Sequence, residues 1–272
     1  GDSKMGKDQA AGRKRRAEAD GPAVGAVTRS KGKPTGEEKA LGWVSGNVGA
    51  SKRGKKAGVC AGPRECSKVD FAAHGPYHPV VNMPSKYHVH DFSKDKDPKP
   101  DGTWNIGKYD EVRPTMYDTP MFSDKKKAIQ GFAGVRDVHV GIDLGGPVGT
   151  PVHAWSQGTV LHAGYNPAAG DYGYVIVTQH LVGDVRVYSL YGHLDSKTLE
   201  LSPPGRKILP GDVLGHFGDR SQNGNWPPHV HFQLSLVRPQ THDMPGVVSR
   251  ADREAALQTY PDPRLVVGML YA

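Results

Sequence analysis

From His229 to Leu236 the chain reads His-Val-His-Phe-Gln-Leu-Ser-Leu, polar and apolar by turns without a break. Only an extended strand can use that pattern, because successive side chains on a strand leave by opposite faces. Val230, Phe232, Leu234 and Leu236 are then committed to a core. His229, His231, Gln233 and Ser235 face the other way, into a groove. Comparable short runs between Gly, Pro, Asn and Asp turns give candidate strands at 151–155, 158–164, 173–180, 185–192 and 213–217, with the last at 229–237. A chain built this way is mainly β, an antiparallel β-sandwich or barrel-like core. Arg250 to Leu257 has helical character, closed off by Pro261 and Pro263.

Roughly ninety residues before His229 stands a second short run, His139-Val-Gly-Ile-Asp143. The two runs together offer two imidazoles and a carboxylate for one divalent ion, with a further imidazole beside them. Three protein ligands and one open position are how zinc makes water nucleophilic at neutral pH. Four residues of straight strand span about 13 Å, near the limit at which His139 and Asp143 could share an ion. Gly-Ile-Asp-Leu-Gly-Gly-Pro is a poor helix, so a bend at or after Gly141 is expected to fold Asp143 back. In the run 185–193, His193 falls on the face of Val187, Ser189 and Tyr191, at the strand end where groove residues often lie.

Charge divides the chain. The whole carries +7, yet residues 1–60 hold fourteen Lys or Arg against six Asp or Glu, a net of +8, so the rest is near −1. Residues 1 to about 70 are rich in Gly, Ala, Lys, Arg and Ser and lack apolar periodicity, which predicts a disordered basic tail. From about 75 Tyr, Trp, Phe, Val and Pro appear. Residues 75–135 read as a long wrap with one or two short strands, and the domain runs 75–272 around a core at 138–236. Arg13-Lys-Arg-Arg16 and Ser51-Lys-Arg-Gly-Lys-Lys56 suit nucleic acid or an import receptor; a solvated linker is the favoured reading. Binding through residues 1–60 would be strongly salt-dependent and would vanish when they are removed. Cys60 and Cys66 cannot make a four-thiolate site and are not a CxxC pair. Two free thiols are favoured over a small disulfide loop. The absence of a run of about eighteen apolar residues gives no membrane span. The start has no signal-peptide core, but Gly-Asp-Ser-Lys precedes Met5 and leaves open what came before.

Most histidines in a β-rich chain are surface or satisfied core groups. That reading is applied to His74, His78, His162, His180, His216 and His242. His88-Val-His90 repeats the HxH spacing but has no acidic or imidazole partner at useful spacing in the sequence, and is read as a decoy.

His139-Val-Gly-Ile-Asp143, Tyr191-Gly-His193-Leu194 and His229-Val-His231-Phe232, with Gly149-Thr-Pro-Val152, Gly158-Thr-Val160 and Pro210-Gly-Asp212 between them, resemble the lysostaphin/LytM-type zinc metallopeptidases. The flanks Trp104–Arg113, Trp226-Pro-Pro-His229 and Tyr260-Pro-Asp-Pro263 resemble most the peptidase-like domains that stand beside kinase-like and aminotransferase-like domains. The resemblance implies a zinc-dependent metalloendopeptidase with His139, Asp143 and His231 as zinc ligands and a peptide as substrate. It makes His229 the general base and gives protonated His193 the developing oxyanion. Its default substrates are peptidoglycan cross-link peptides or Gly-rich peptides. Tyr191 and Trp226 are expected to shape the groove. Two other classes are weighed against it: a non-catalytic zinc-binding interaction module, and a nucleic-acid or nuclear protein acting through the tail.

Overall fold

The computed structural model describes residues 69–94, 96–123, 130–132 and 134–272. The expected tail, its basic clusters and both cysteines lie outside them. In chain order the strands are β1 His88–Val89, β2 Asn105–Gly107, β3 Glu111–Val112, β4 Val138–His139, β5 Ile142–Gly145, β6 Pro151–His153, β7 Gly158–Asn166, β8 Gly173–Val182, β9 Val185–Leu194, β10 Lys207–Ile208, β11 Val213–His216, β12 His229–Ser235 and β13 Val247–Val248. Short helices cover Pro120–Ser123, Thr198–Leu201, Arg253–Thr259 and Arg264–Val267. The fold is mainly β, as expected. The wrap carries three short strands, more than its irregular sequence suggested, because each borrows its ladder from a neighbour. Among the described residues no helix is long and apolar enough to cross a membrane.

Eight strands form one sheet in the order β1-β2-β5-β12-β9-β8-β7-β10, antiparallel except for β1 beside β2. β11 pairs with β6, and β13-β4-β3 make a third, small sheet. The alternation in β12 is realised: Val230, Phe232 and Leu234 are fully buried. They share a core with Ile176 and Tyr191 of the same sheet and with Val152, Trp155, Leu214 and Phe217 beside β6 and β11. Full burial of such a side chain contributes about 1.5–3 kcal/mol, so this face fixes which way β12 points. The opposite face is not all open groove, as expected from the sequence. Gln233 and Ser235 are buried as well, and Gln233 meets the Pro245 carbonyl.

The chain changes sheets at Gly141. Val138 and His139 pair with β13 and β3, and from Ile142 the strand pairs with β12 and β2. The expected bend is there, and Gly141 is needed for space: a Cβ would collide with the His231 ring and crowd the Phe232 carbonyl.

His180 is a core group, as read. Its Nδ1 donates to the Gln157 carbonyl at 3.0 Å, Thr178 Oγ1 donates to Nε2 at 2.7 Å, and Trp155 packs on the ring. Burial pushes its pKa down to about 4. A histidine depressed from about 6.5 supports the fold above its unfolded pKa and loses that support as pH falls through the folded value. This is worth up to about 3 kcal/mol between pH 7 and pH 4. Urea unfolding across that window should show a shallower loss of stability with acid in His180→Gln than in wild type; equal slopes would contradict it.

Candidate metal centre and catalytic groove

The register of two strands brings the distant motifs together. His231 on β12 stands directly opposite Asp143 on β5, and His229 opposite Gly145. His139 reaches the same point from the small sheet across the Gly141 bend. The result is a triangle: His139 Nε2 to His231 Nδ1 is 3.0 Å, His231 Nδ1 to Asp143 Oδ1 is 3.1 Å, and His139 Nε2 to Asp143 Oδ1 is 3.2 Å. Ligands about 2 Å from a tetrahedral ion stand about 3.3 Å apart, so the three edges suit one face of such a tetrahedron.

The other ring nitrogens decide what faces the centre. His139 Nδ1 lies 2.9 Å from the Lys108 carbonyl, which can only accept, so that nitrogen carries the proton and Nε2 presents a lone pair. Gln233 donates its amide to the Pro245 carbonyl, which turns its oxygen to His231 Nε2 at 3.0 Å and leaves a lone pair on Nδ1. Two lone pairs and a carboxylate oxygen therefore converge at about hydrogen-bonding distance. They repel unless a cation sits among them. Two nitrogens and one oxygen suit zinc, so the residues present fit the metal that the sequence resemblance implies. These imidazole-orienting contacts are the kind that tune metal sites.

Asp143 is also oriented. Arg113 Nη1 donates to its Oδ2 at 2.8 Å, and Arg113 Nε donates to Glu111 Oε2 at 3.0 Å. One carboxylate oxygen is thus taken, and only Oδ1 remains for an ion. Burial would raise the Asp143 pKa, but the His139 ring and the Arg113 guanidinium outweigh it and hold the carboxyl well below its usual range. Burial, aided by Arg113, pushes His139 down to about 4, which keeps it in the neutral form a metal requires.

His193 and His229 complete the cluster, with ring centroids 4.3 Å apart. His229 Nδ1 donates to the Pro227 carbonyl at 2.6 Å, and its Nε2 lies 3.8 Å from Asp143 Oδ1. His193 Nδ1 donates to the Asn223 carbonyl at 2.8 Å. The face expected for His193 is corrected. Tyr191 is in the core against Phe232, and strict alternation would send His193 there too. Instead, Gly192 and His193 together oppose the single residue between Tyr174 and Ile176 on β8. This bulge, with His193 at φ +65°, re-aims the side chain to the site. Holding a non-glycine residue there costs on the order of 1–3 kcal/mol. Burial, and then His229 and His231, push the His193 pKa well below the ordinary value. Burial lowers His229 also.

All five side chains line one groove, together with Tyr117, Met121, Phe122, Trp226 and Met244. Trp226 is where the groove reading put it; Tyr191 is not. Sequence reasoning missed Arg113, Gln233 and the carbonyls of Lys108 and Asn223. Gln233 alone had a visible signal, its place on the His231 face of the strand. His88-Val-His90 has an acidic partner after all, contrary to the sequence expectation: Asp97 folds back onto both rings.

Comparison with known proteins agrees with the motif reading. DD-carboxypeptidase/endopeptidase Mpg of Neisseria meningitidis serogroup B is 29% identical over 123 residues, 43% of this chain and 26% of that protein. An uncharacterized metalloprotease of Buchnera aphidicola subsp. Baizongia pistaciae is 30% identical over 98 residues, 36% of this chain and 23% of that protein. The chain spans about a quarter of the length of these curated relatives. The catalytic domain of the antimicrobial peptidase lysostaphin from Staphylococcus simulans aligns over 52% of this chain and 84% of its own, with 24% identity and a TM-score of 0.32.

Gln233→Leu keeps the size and burial of the side chain while freeing His231 Nε2. Zinc affinity, measured by competition with a chromogenic chelator, should fall about 10–100-fold with the circular dichroism spectrum unchanged; wild-type affinity would remove Gln233 from the centre. Over residues 137–243, the stretch that carries every one of the converging histidines, the chain matches Peptidase family M23.

Proposed function

We propose that this chain is a zinc-dependent metalloendopeptidase that hydrolyses a peptide bond. The observation that carries the reading is the near-equilateral triangle of His139 Nε2, Asp143 Oδ1 and His231 Nδ1, lining a groove with two further neutral imidazoles. A purely structural metal site has no use for His193 and His229. The family match and the relatives' names, which describe peptidases, support the amide as the bond. Peptidoglycan cross-link peptides or Gly-rich peptides are the proposed substrates.

His139, Asp143 and His231 hold the ion, which when bound supplies the Lewis acidity that lets water attack at neutral pH. His229, neutral and anchored through Nδ1, turns Nε2 towards the site. It takes the water's proton as oxygen bonds to the carbonyl carbon, and returns that proton to the amine nitrogen as the C–N bond breaks. Arg113 keeps Asp143 in place through the cycle. The part of His193 is narrower than the resemblance implied. With Nδ1–H on the Asn223 carbonyl and the ring neutral, Nε2 has no proton to give. His193 can stabilise the developing oxyanion only as imidazolium, with a proton of its own distinct from the one that His229 carries.

Peptide hydrolysis and zinc content separate these roles. His229→Ala should retain zinc and lose about 10²–10⁴-fold in turnover, and His139→Ala should lose the metal itself. Full activity in His229→Ala would overturn its assignment as base. Loss of zinc in that variant would make His229 a ligand instead.

A further inference from the structure

The sheet carries a second cluster on the same face as the first. β1 runs beside β2, with His88 opposite Asn105 and Val89 opposite Ile106. His90 N donates to the Ile106 carbonyl at 2.9 Å, so the pairing continues and His90 falls opposite Gly107. Gly107 is opposite Asp143, and Asp143 is opposite His231. Residues paired across a sheet project from the same face. His90, Gly107, Asp143 and His231 therefore form one cross-strand row, and His88, Asn105, Gly145 and His229 form the next.

The chain after β1 turns back and sets Asp97 against both rings. Asp97 Oδ2 is 2.6 Å from His88 Nε2 and 3.2 Å from His90 Nδ1, and the rings are 4.8 Å apart. The candidate ligand atoms lie within 4.8 Å of one another. The arrangement repeats that of the first centre in a second respect. There Arg113 occupies one oxygen of Asp143 and leaves the other between two imidazoles. Here Lys99 Nζ occupies Asp97 Oδ1 at 2.8 Å and leaves Oδ2 between two imidazoles. His90 is buried and stacked on Phe92 at 4.4 Å. Both imidazoles therefore present a ring nitrogen to the same carboxylate oxygen, where one cation could be shared.

We propose that His88, His90 and Asp97 bind a second divalent transition-metal ion of the zinc class, independent of the first. Two nitrogens and one oxygen again form the donor set. His90 and Asp143 stand two strands apart, about 10 Å at the usual strand spacing. That is too far for the two-ion chemistry in which ions sit about 3.5–4 Å apart. The second ion pins the segment after β1, whose His90, Phe92, Asp97 and Lys99 line the catalytic groove. It thereby shapes one wall of the substrate path.

Zinc bound per chain after equilibrium dialysis, read by elemental mass spectrometry, tests the site as a difference between variants. Ions held elsewhere, by Cys60, Cys66 or residues 1–60, cancel in that difference. His88→Gln with Asp97→Asn should bind one equivalent less than wild type, and His139→Gln should lose a different equivalent. The two losses should add when the three substitutions are combined. An unchanged count in the folded His88→Gln/Asp97→Asn variant would overturn the proposal and leave an ordinary ion pair. If that variant fails to show the wild-type circular dichroism spectrum, cobalt titration of His139→Gln decides: a d–d absorption band from one residual nitrogen- and oxygen-liganded ion is expected, and its absence overturns the site. The outcome does not depend on peptidase activity, so failure here and failure of the catalytic reading are separable.

Discussion

The pairing of β5 with β12 is the constraint on which the rest depends. It sets His231 across from Asp143 and His229 across from Gly145. A slip of one residue would turn every histidine of β12 into the core and every core residue out. Burial of Val230, Phe232 and Leu234, worth several kcal/mol together, forbids that slip. The candidate site is in this sense held by the hydrophobic face of the same strand.

Convergence alone would not make a metal centre, because an imidazole can present either a proton or a lone pair. Here four backbone carbonyls and one amide side chain decide the matter. Lys108, Pro227 and Asn223 take the protons of His139, His229 and His193, and Pro245 orients Gln233 so that it takes that of His231. Arg113 performs the matching service for Asp143. The environment therefore raises the stakes of leaving the triangle without a cation, since low dielectric strengthens repulsion as much as attraction. The bulge at Gly192 and His193 belongs to the same account: local strain is accepted where a side chain must leave its regular face.

Much of this was legible in the sequence because it is written in local pattern. The alternation of β12 gave both histidines and the core residues beneath them. The glycine after His139 gave the bend, although its reason turned out to be the nearness of the His231 ring. What escaped depends on the partner strand or on irregular chain. The bulge that turns His193 is a property of β9 against β8, and no feature within Val185–Leu194 reveals it. Arg113 and Asp97 come from a wrap without periodicity, and each finds its imidazole or carboxylate only after the chain has folded back. Tyr191 was misplaced for the same reason as His193, since alternation was carried past the point where it breaks.

The central claim is that one ion sits among His139, Asp143 and His231. Anomalous diffraction at the zinc edge, from crystals of the zinc-loaded protein, tests it most directly. The account predicts a peak about 2 Å from His139 Nε2, His231 Nδ1 and Asp143 Oδ1 together. A zinc-loaded crystal with no peak there, and the two imidazoles joined instead by a shared proton, would contradict it.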